Sequence, residues 1–498
     1  MKPGFTTLIT PRLQVLAEDQ KETIYLGALE VLERTGVQVD NDEGLELLSS
    51  AGAHVGLERR VRIPSYLVED ALAAAPRRIA IYNRDGQPAV RLEDRRVYFC
   101  SQVDSLYFFD PFEYAQDKPF DRARRRSVRD DARLGAILCD ALPNIDMVSF
   151  SAMFEDVPGQ IAYPLGHKDT VLNGTKPIMH GTLDLAGLRA VAEMAAIVAG
   201  GWDELARRPY YVHYAEPLSP LRHTEEGVAK LLYCVERGIP VIYTPMTLGG
   251  SSAPLTAAGN LTACTAECLS GLVMAHLKRR GAAVIFGGVP TVMDMSTMIA
   301  SYGAPEMHLW SAALAEMGHY LRLPVMSTAG CTDAVQFDQQ AAAEAAISCL
   351  MAALSGGNLV HDVGFMEAAN SASLELIAAA EEFIGMIRTI TNGIAVTPET
   401  LALEVIDQVG PGGGFLGEKH TVRHLRETWF PPSMNRHNHE GWAAAGSLSF
   451  GDRANERVRR ILAEHQPEPL PPDVVAELDK LEKRWWQKVE GHSSLGRS

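Results

Sequence analysis

The sequence predicts a (β/α)8 barrel of the α/β class, a TIM barrel, and three observations predict it. From about residue 96 short β-rich runs recur eight times in succession; each is followed by a turn cluster and a long helical stretch; and no dinucleotide fingerprint follows the first run, where an open doubly wound sheet would carry one. The runs are VYFCS (97–101), DMVSFSA (146–152), IMHGT (178–182), PYYVHY (209–214), PVIYT (240–244), AVIFG (283–287), LPVMST (323–328) and NLVHD (358–362). Their starts lie roughly 25–50 residues apart, room for a strand, a loop and a crossover helix each time.

The flanks differ from this pattern. Residues 13–34 show helical apolar spacing, and 35–95 mix short elements with the turns GVQVDNDEG and NRDGQP. Residues 1–95 therefore read as an N-terminal cap of helices and small strands, 96–397 as the catalytic barrel and 398–498 as a C-terminal helical extension packed on it. The extension holds a Gly-rich loop, a His-rich stretch and a charged helix, and its last dozen residues read as frayed.

Composition narrows the function classes. The 498 residues are 46% hydrophobic and 22% charged, which suits a folded protein with a large core rather than a disordered or fibrous one. Lys plus Arg total 46 against 62 Asp plus Glu, a net charge of −16. That balance repels nucleic acid and anionic lipid and favours a cationic small molecule. The first thirty residues lack the apolar core of a secretory signal, and no later stretch stays apolar for the roughly 18 residues that span a bilayer, so the expected location is the cytoplasm. An acidic surface is compatible with a symmetric homo-oligomer. Seven cysteines in no compact framework point to reduced thiols. Cys264 and Cys268, four apart on one helix face, offer two metal ligands, but a buried small-residue helix explains them and is the reading adopted.

In such a barrel the reacting groups stand just after the strands. In order these positions supply Asp104, Glu155 and Asp156, Asp184, Glu216, Asp294, Asp333, and Asp362 with Glu367; the fifth run offers Thr244 and Thr247 instead. Any one of them is easily a helix N-cap or a solvated loop residue. As a ring they would hold an ammonium group by Coulomb attraction, with Tyr107, Phe108, Tyr211 and Tyr214 adding cation–π faces. No cluster of Lys or Arg accompanies them. His361 ends the last run, with Asp362 and Glu367 close enough in sequence to tune it, and imidazole suits proton work near neutrality.

Three further motifs carry less. Gly412, Gly414 and Gly417 spell GxGxxG, but they follow a helical stretch rather than a strand. His420 and His424 in HTVRH, with His437 and His439, could ligate a metal, yet the glutamate of HExxH is missing. The run RARRR (122–126) precedes an Asp-rich helical stretch and reads as a surface salt-bridge face.

Three segments together, DALPNID (140–146), STAGCTDAVQFDQQAAAE (327–344) and above all GPGGGFLGEKHTVRHLRETWFPP (410–432), resemble the trimethylamine methyltransferase family, and the likeness runs from about Glu30 to about residue 480. The resemblance implies a TIM barrel that moves a methyl group from an amine to the cobalt of a corrinoid (cobalamin) carried by a partner protein, with no tightly bound cofactor of its own. Founding members carry pyrrolysine in the active site, whereas this chain holds only the twenty standard residues. Relatives without pyrrolysine and with known activity demethylate quaternary amines such as glycine betaine, and no residue here is matched to the pyrrolysine position. On this reading Asp333, Glu216, Glu155, Tyr107 and Tyr214 are expected to bind the cation, His361 to face the corrinoid, and Asp362 to orient His361. Two other readings compete: a metal-dependent barrel hydrolase built on the C-terminal histidines, and a non-catalytic binder or sensor of quaternary amines.

Overall fold

A computed structural model of the protein describes residues 10–495 other than 103, 116, 117 and 151. Seven parallel strands form the barrel wall: β1 (Tyr98–Ser101), β2 (Ile178–His180), β3 (Tyr211–Ala215), β4 (Val241–Tyr243), β5 (Val284–Gly287), β6 (Val325–Thr328) and β7 (Leu359–Val363). They pair in the order β1-β7-β6-β5-β4-β3-β2. The gap between β1 and β2 is closed by the predicted second run, reduced to two bridging residues: Met147 pairs with Cys100 and Val148 with Ile178. Hydrogen bonding explains why this strand stops early. The Ser101 hydroxyl both accepts from the Ser149 amide (2.8 Å) and donates to the Ser149 carbonyl (2.9 Å), taking the place of a ladder partner. Ser151 lies outside the described residues.

The strands are near-continuous apolar runs because both faces are covered, by the outer helices on one side and the barrel interior on the other. Cys100, Met147, Met179, Val212, Ile242, Ile285, Met326 and Leu359, one from each unit, share an interior cluster with Ile79, Ile81, Val90 and Leu92. Those last four belong to the hairpin Ile79–Tyr82/Pro88–Leu92, which therefore covers the barrel floor. With the floor plugged, ligands can enter only at the C-terminal ends of the strands.

Eight helices follow the eight units: Arg129–Ala141, Gly159–Leu172, Leu185–Ala199, Glu225–Arg237, Ala257–Lys278, Pro305–Leu321, Gln339–Ser355 and Leu374–Thr391. N-cap side chains fix where several begin: Asp184, Thr224, Asp338 and Ser373 each accept a hydrogen bond from the first turn of their helix. The N-terminal helices Glu18–Glu30, Asp42–Ser50 and Ser65–Ala74 pack on helix Ala257–Lys278. Cys264 and Cys268 are buried in that helix, and the Cys268 thiol donates to the Gly287 carbonyl at 2.8 Å, which fits the structural reading of the pair. All seven cysteines are buried and unpaired.

Two features depart from the sequence expectation. The run 122–126 stands before helix Arg129–Ala141, as expected, with Arg124 and Arg126 exposed, but it is itself a strand of a long hairpin, Tyr107–Ala115/Lys118–Arg126, inserted after β1, which the sequence did not suggest. Its arginines are paired all the same, Arg122 with Glu375 (2.6 Å) and Arg125 with Asp131 (2.7 Å) and Asp110 (3.0 Å). The C-terminal end is not frayed through 495: helix Pro472–Leu495 packs on Gly159–Leu172 and Leu185–Ala199. Arg129 and Lys168 clamp it through Glu482 (2.6 and 2.5 Å). Residues 496–498 lie outside the described residues. Among the described residues no helix is long and apolar enough to cross a membrane.

Candidate active site at the barrel mouth

A cavity of about 410 Å³ opens at the C-terminal ends of the strands, bounded by Asp104, Tyr163, Tyr214, Glu216, Lys230, Tyr302, His361, Asp362 and Phe365 among others. Its volume is that of a small-molecule site. A larger cavity of about 690 Å³ lies outside the barrel, between the inserted hairpin, residues 335–339 and the C-terminal helix Phe450–Glu464. Its charged side chains are engaged within the protein, Arg122 with Glu375 (2.6 Å), Arg124 with Glu367 (2.8 Å), Asp338 with the first turn of its helix and Asp452 with Ser449. The barrel mouth differs in keeping a carboxylate oxygen without a partner.

His361 and Asp362 are adjacent on β7, where alternate residues ordinarily face opposite sides of a sheet. Here the register between β7 and β1 shifts between Val360 and Val363, and Asp362 takes φ +77°. This bulge turns both side chains to the cavity. His361 Nδ1 lies 2.6 Å from the Asp362 carboxylate and Nε2 lies 3.0 Å from the Thr328 hydroxyl on β6. Both ring nitrogens are thus engaged within the protein, and the ring rests 5.7 Å from that of Tyr214. Gly364 follows at φ +105°, where a Cβ would stand 2.2 Å from Ile377, so only glycine lets the chain leave β7 this way.

Three carboxylates reach the cavity. Asp104, after β1, accepts a short hydrogen bond from the Tyr163 hydroxyl, while its Oδ1 is buried with no hydrogen-bond partner. Burial raises its carboxyl to about 6, against the opposing pull of the Tyr163 hydroxyl and the nearby Ser105 amide. Glu216, after β3, is likewise raised by burial, with Lys230 opposing, and it receives a long hydrogen bond (3.4 Å) from Tyr214. Asp362 is the third. Lys230 donates to the Thr182 carbonyl at 2.7 Å, and burial lowers its ammonium against the attraction of Glu216. The mouth is therefore acidic, with one half-buried cation and, as expected, no cluster of Lys or Arg.

The other predicted rim residues are spent elsewhere. Asp333 does not line this cavity: it accepts from the Tyr302 amide (2.6 Å) and the Ser301 hydroxyl, and so pins the loop that brings Tyr302 to the site. Glu155 is exposed in a turn away from the cavity, and its neighbour Asp156 accepts from the Arg129 amide at the start of a helix. Tyr107 lies in the inserted hairpin with Arg124 3.5 Å and Arg126 4.5 Å from its ring centroid, so its face is already taken by cations. Asp184 is a helix cap, Asp294 accepts from the Ser296 and Thr297 amides, and Glu367 binds Ser371 and Arg124. Tyr211 is buried with its hydroxyl 2.7 Å from His213, and Phe108 is buried beneath Arg125. The structure brings together Glu216, Tyr214, His361 and Asp362 from the sequence expectation, and with them Asp104 from the wider ring.

Sequence reasoning missed Tyr163, Lys230, Tyr302 and Phe365. The first two come from helices and Tyr302 from a loop well past β5, so no strand-end rule reaches them. The histidine set for a barrel hydrolase is not assembled: neither His437 nor His439 joins His420 and His424, and none of the four lines the cavity. The GxGxxG stretch is an exposed loop after helix Leu403–Val409, which leaves no strand–loop–helix unit for a dinucleotide.

Comparison with known proteins agrees with this architecture. The chain is 32% identical to the trimethylamine methyltransferase of Desulfitobacterium hafniense, over 93% of this chain and 92% of that one. It is 31% identical to the Methanosarcina barkeri trimethylamine methyltransferase over 96% of each chain. A glycine betaine methyltransferase of Desulfitobacterium hafniense is 29% identical over 94% of this chain and 96% of its own. The crystal structure of the Methanosarcina barkeri monomethylamine methyltransferase superposes with a TM-score of 0.51 at 11% identity, covering 91% of this chain and 88% of that one, a likeness of fold. A sequence profile of the trimethylamine methyltransferase family (MTTB) matches residues 4–488, and the chain therefore belongs to that family of methyltransferase enzymes.

Proposed function

We propose that the protein takes a methyl group from a quaternary amine of the glycine betaine type and delivers it to the cob(I)alamin of a partner corrinoid protein. The observation that carries this reading is the charge pattern of the cavity: Asp104, with an unpartnered buried oxygen, and Glu216 and Asp362 stand among Tyr163, Tyr214, Tyr302 and Phe365. A quaternary nitrogen has no N–H to donate. It is recognised by negative charge and aromatic faces, which is what this wall offers. Lys230, on the same wall, suits the carboxylate of a zwitterionic betaine. The relative named as a glycine betaine methyltransferase supports the same choice.

Chemistry favours a quaternary donor in a chain without pyrrolysine. The C–N bond breaks with its electron pair staying on nitrogen, so a quaternary amine departs as a neutral tertiary amine and needs no prior activation or proton. The corrinoid, when its carrier protein docks, supplies the nucleophilic cobalt that accepts the methyl. The residues of this chain bind, orient and desolvate the donor. Asp104 and Glu216 hold the ammonium; too many carboxylates in contact would stabilise the ground-state cation more than the transition state, in which that charge is leaving nitrogen. With both nitrogens engaged, His361 acts by fixing Asp362 and packing against Tyr214, and it would face the corrinoid when the carrier protein docks.

The test is methyl transfer from a panel of quaternary and tertiary amines to free cob(I)alamin, followed by the absorbance change on methylation. Transfer from a quaternary amine such as glycine betaine, carnitine or proline betaine, and none from trimethylamine, is expected. Silence across the panel even with a cognate corrinoid protein, together with tight amine binding, would replace this reading by that of a sensor.

A further inference from the structure

We propose that Glu399, His420 and His424 bind one divalent transition-metal ion of the zinc class, which clamps the segment following the barrel. One ligand atom from each of the three residues lies within 4.8 Å of the others. His420 and His424 are four residues apart on the short helix Lys419–His424, which places both imidazoles on one face with ring centroids 4.3 Å apart. The Nε2 atoms of both histidines are buried and have no hydrogen-bond partner, a costly arrangement for two polar nitrogens unless something lies between them. His424 Nε2 is 3.6 Å from the Glu399 carboxylate.

The neighbours prepare these atoms for a metal. His424 Nδ1 lies 2.7 Å from Glu427 Oε1. With the proton held there, Nε2 presents a lone pair, the histidine–carboxylate arrangement that orients and strengthens a metal-binding imidazole. Arg423 bonds Glu399 and holds that carboxylate in place beside the histidines. Two imidazoles and one carboxylate suit zinc and similar borderline ions. Calcium and magnesium take all-oxygen shells, and soft ions prefer thiolates, which the cluster lacks. Water completes the fourth position of a tetrahedral site.

A second observation shows what the ion is for. No residue from 388 to 432 is buried, and Leu403 and Leu416 are 67% and 90% exposed. This stretch has no core of its own. A segment without a core gains order from a cross-link, and a metal joining Glu399 to His420 and His424 closes the loop that contains the glycine-rich run 410–417. None of the three ligands lines the barrel cavity, so the role is structural.

The test uses the full-length protein, stripped with a chelator and titrated with zinc by calorimetry and with cobalt(II) by visible absorbance. One ion per chain is expected for the wild type, with a tetrahedral cobalt spectrum. His420→Ala with His424→Ala should lose binding by roughly a hundredfold or more, Glu399→Gln by less, and Glu427→Gln by about tenfold through the histidine it orients. Zinc should also slow proteolysis between 388 and 432 several-fold in the wild type alone. Because the wild-type titration needs no variant to fold, its failure to bind zinc would overturn the proposal. Equal binding by the double variant would do the same by placing the ion elsewhere.

Discussion

The inside of the barrel mouth and the rim around it are built from the same residue types and do opposite things. On the rim, Asp333, Asp294, Asp184 and Asp156 accept from backbone amides and are satisfied by the protein itself. Inside, Asp104 keeps a buried oxygen with no partner, and Glu216 has only a long bond from Tyr214. The difference teaches that a carboxylate at a strand end becomes a binding group only when the fold withholds its donors. Unpaired and desolvated, it then carries the field that a cation feels, whereas a capped one spends that field on its own loop.

This contrast can be broken or sharpened by substitution. The largest effect is expected at His361. His361→Ala removes the group that fixes Asp362 and braces Tyr214, and should slow methyl transfer by roughly a hundredfold while amine binding stays within a few-fold, read from single-turnover rates beside calorimetry. Unchanged turnover would remove it from the mechanism.

Asp104→Asn comes next, with amine binding weakened by roughly tenfold, about 1.4 kcal/mol. A pH profile sharpens the point. The Asp104 carboxyl is raised from 3.8 to about 6, so it gains a proton in the free protein as pH falls below about 6, and the cavity loses a negative charge. Affinity for a quaternary amine should therefore be flat above that pH and fall below it by up to about tenfold per pH unit. The Asn variant should show a smaller fall, left to Glu216, whose carboxyl burial also raises.

Lys230→Met should weaken glycine betaine by a few-fold more than choline, which has no carboxylate; equal losses would show that Lys230 only balances Glu216. On the rim, Asp333→Ala should cost about 1–3 kcal/mol of stability in a denaturant titration, by leaving the Tyr302 amide without its acceptor. Asp294→Ala should leave amine affinity within about twofold.

The barrel was legible because parallel strands covered on both faces leave apolar runs, and every predicted run from VYFCS to NLVHD coincides with a barrel position. The run at 146–152 shrank to a two-residue bridge because the Ser101 side chain, not a neighbouring strand, satisfies Ser149. The inserted hairpin went unread, although YFFDPFEY and KPFDRARRR mix aromatic and charged residues around a turn. Its absence from the expectation is why Tyr107 looked like a wall of the site when its face is covered by Arg124. Asp333 and Asp104 are indistinguishable by spacing from a strand. Only the three-dimensional count of donors separates them, and Tyr163 and Lys230 enter from helices whose rotation a strand-end rule does not see.

The central claim is that the cavity recognises a permanent cation through a carboxylate the fold leaves unpaired. The most direct measurement is calorimetric binding, at pH 7.5 or so, of glycine betaine and of the isosteric acid in which carbon replaces the ammonium nitrogen, with carnitine and proline betaine run beside it, to the wild type and to Asp104→Asn. The account predicts that the wild type prefers glycine betaine to the isosteric acid, whose tert-butyl end carries no charge, by at least roughly tenfold and that the Asn variant loses most of this preference. Equal affinity for the cation and the isostere in the wild type would contradict it.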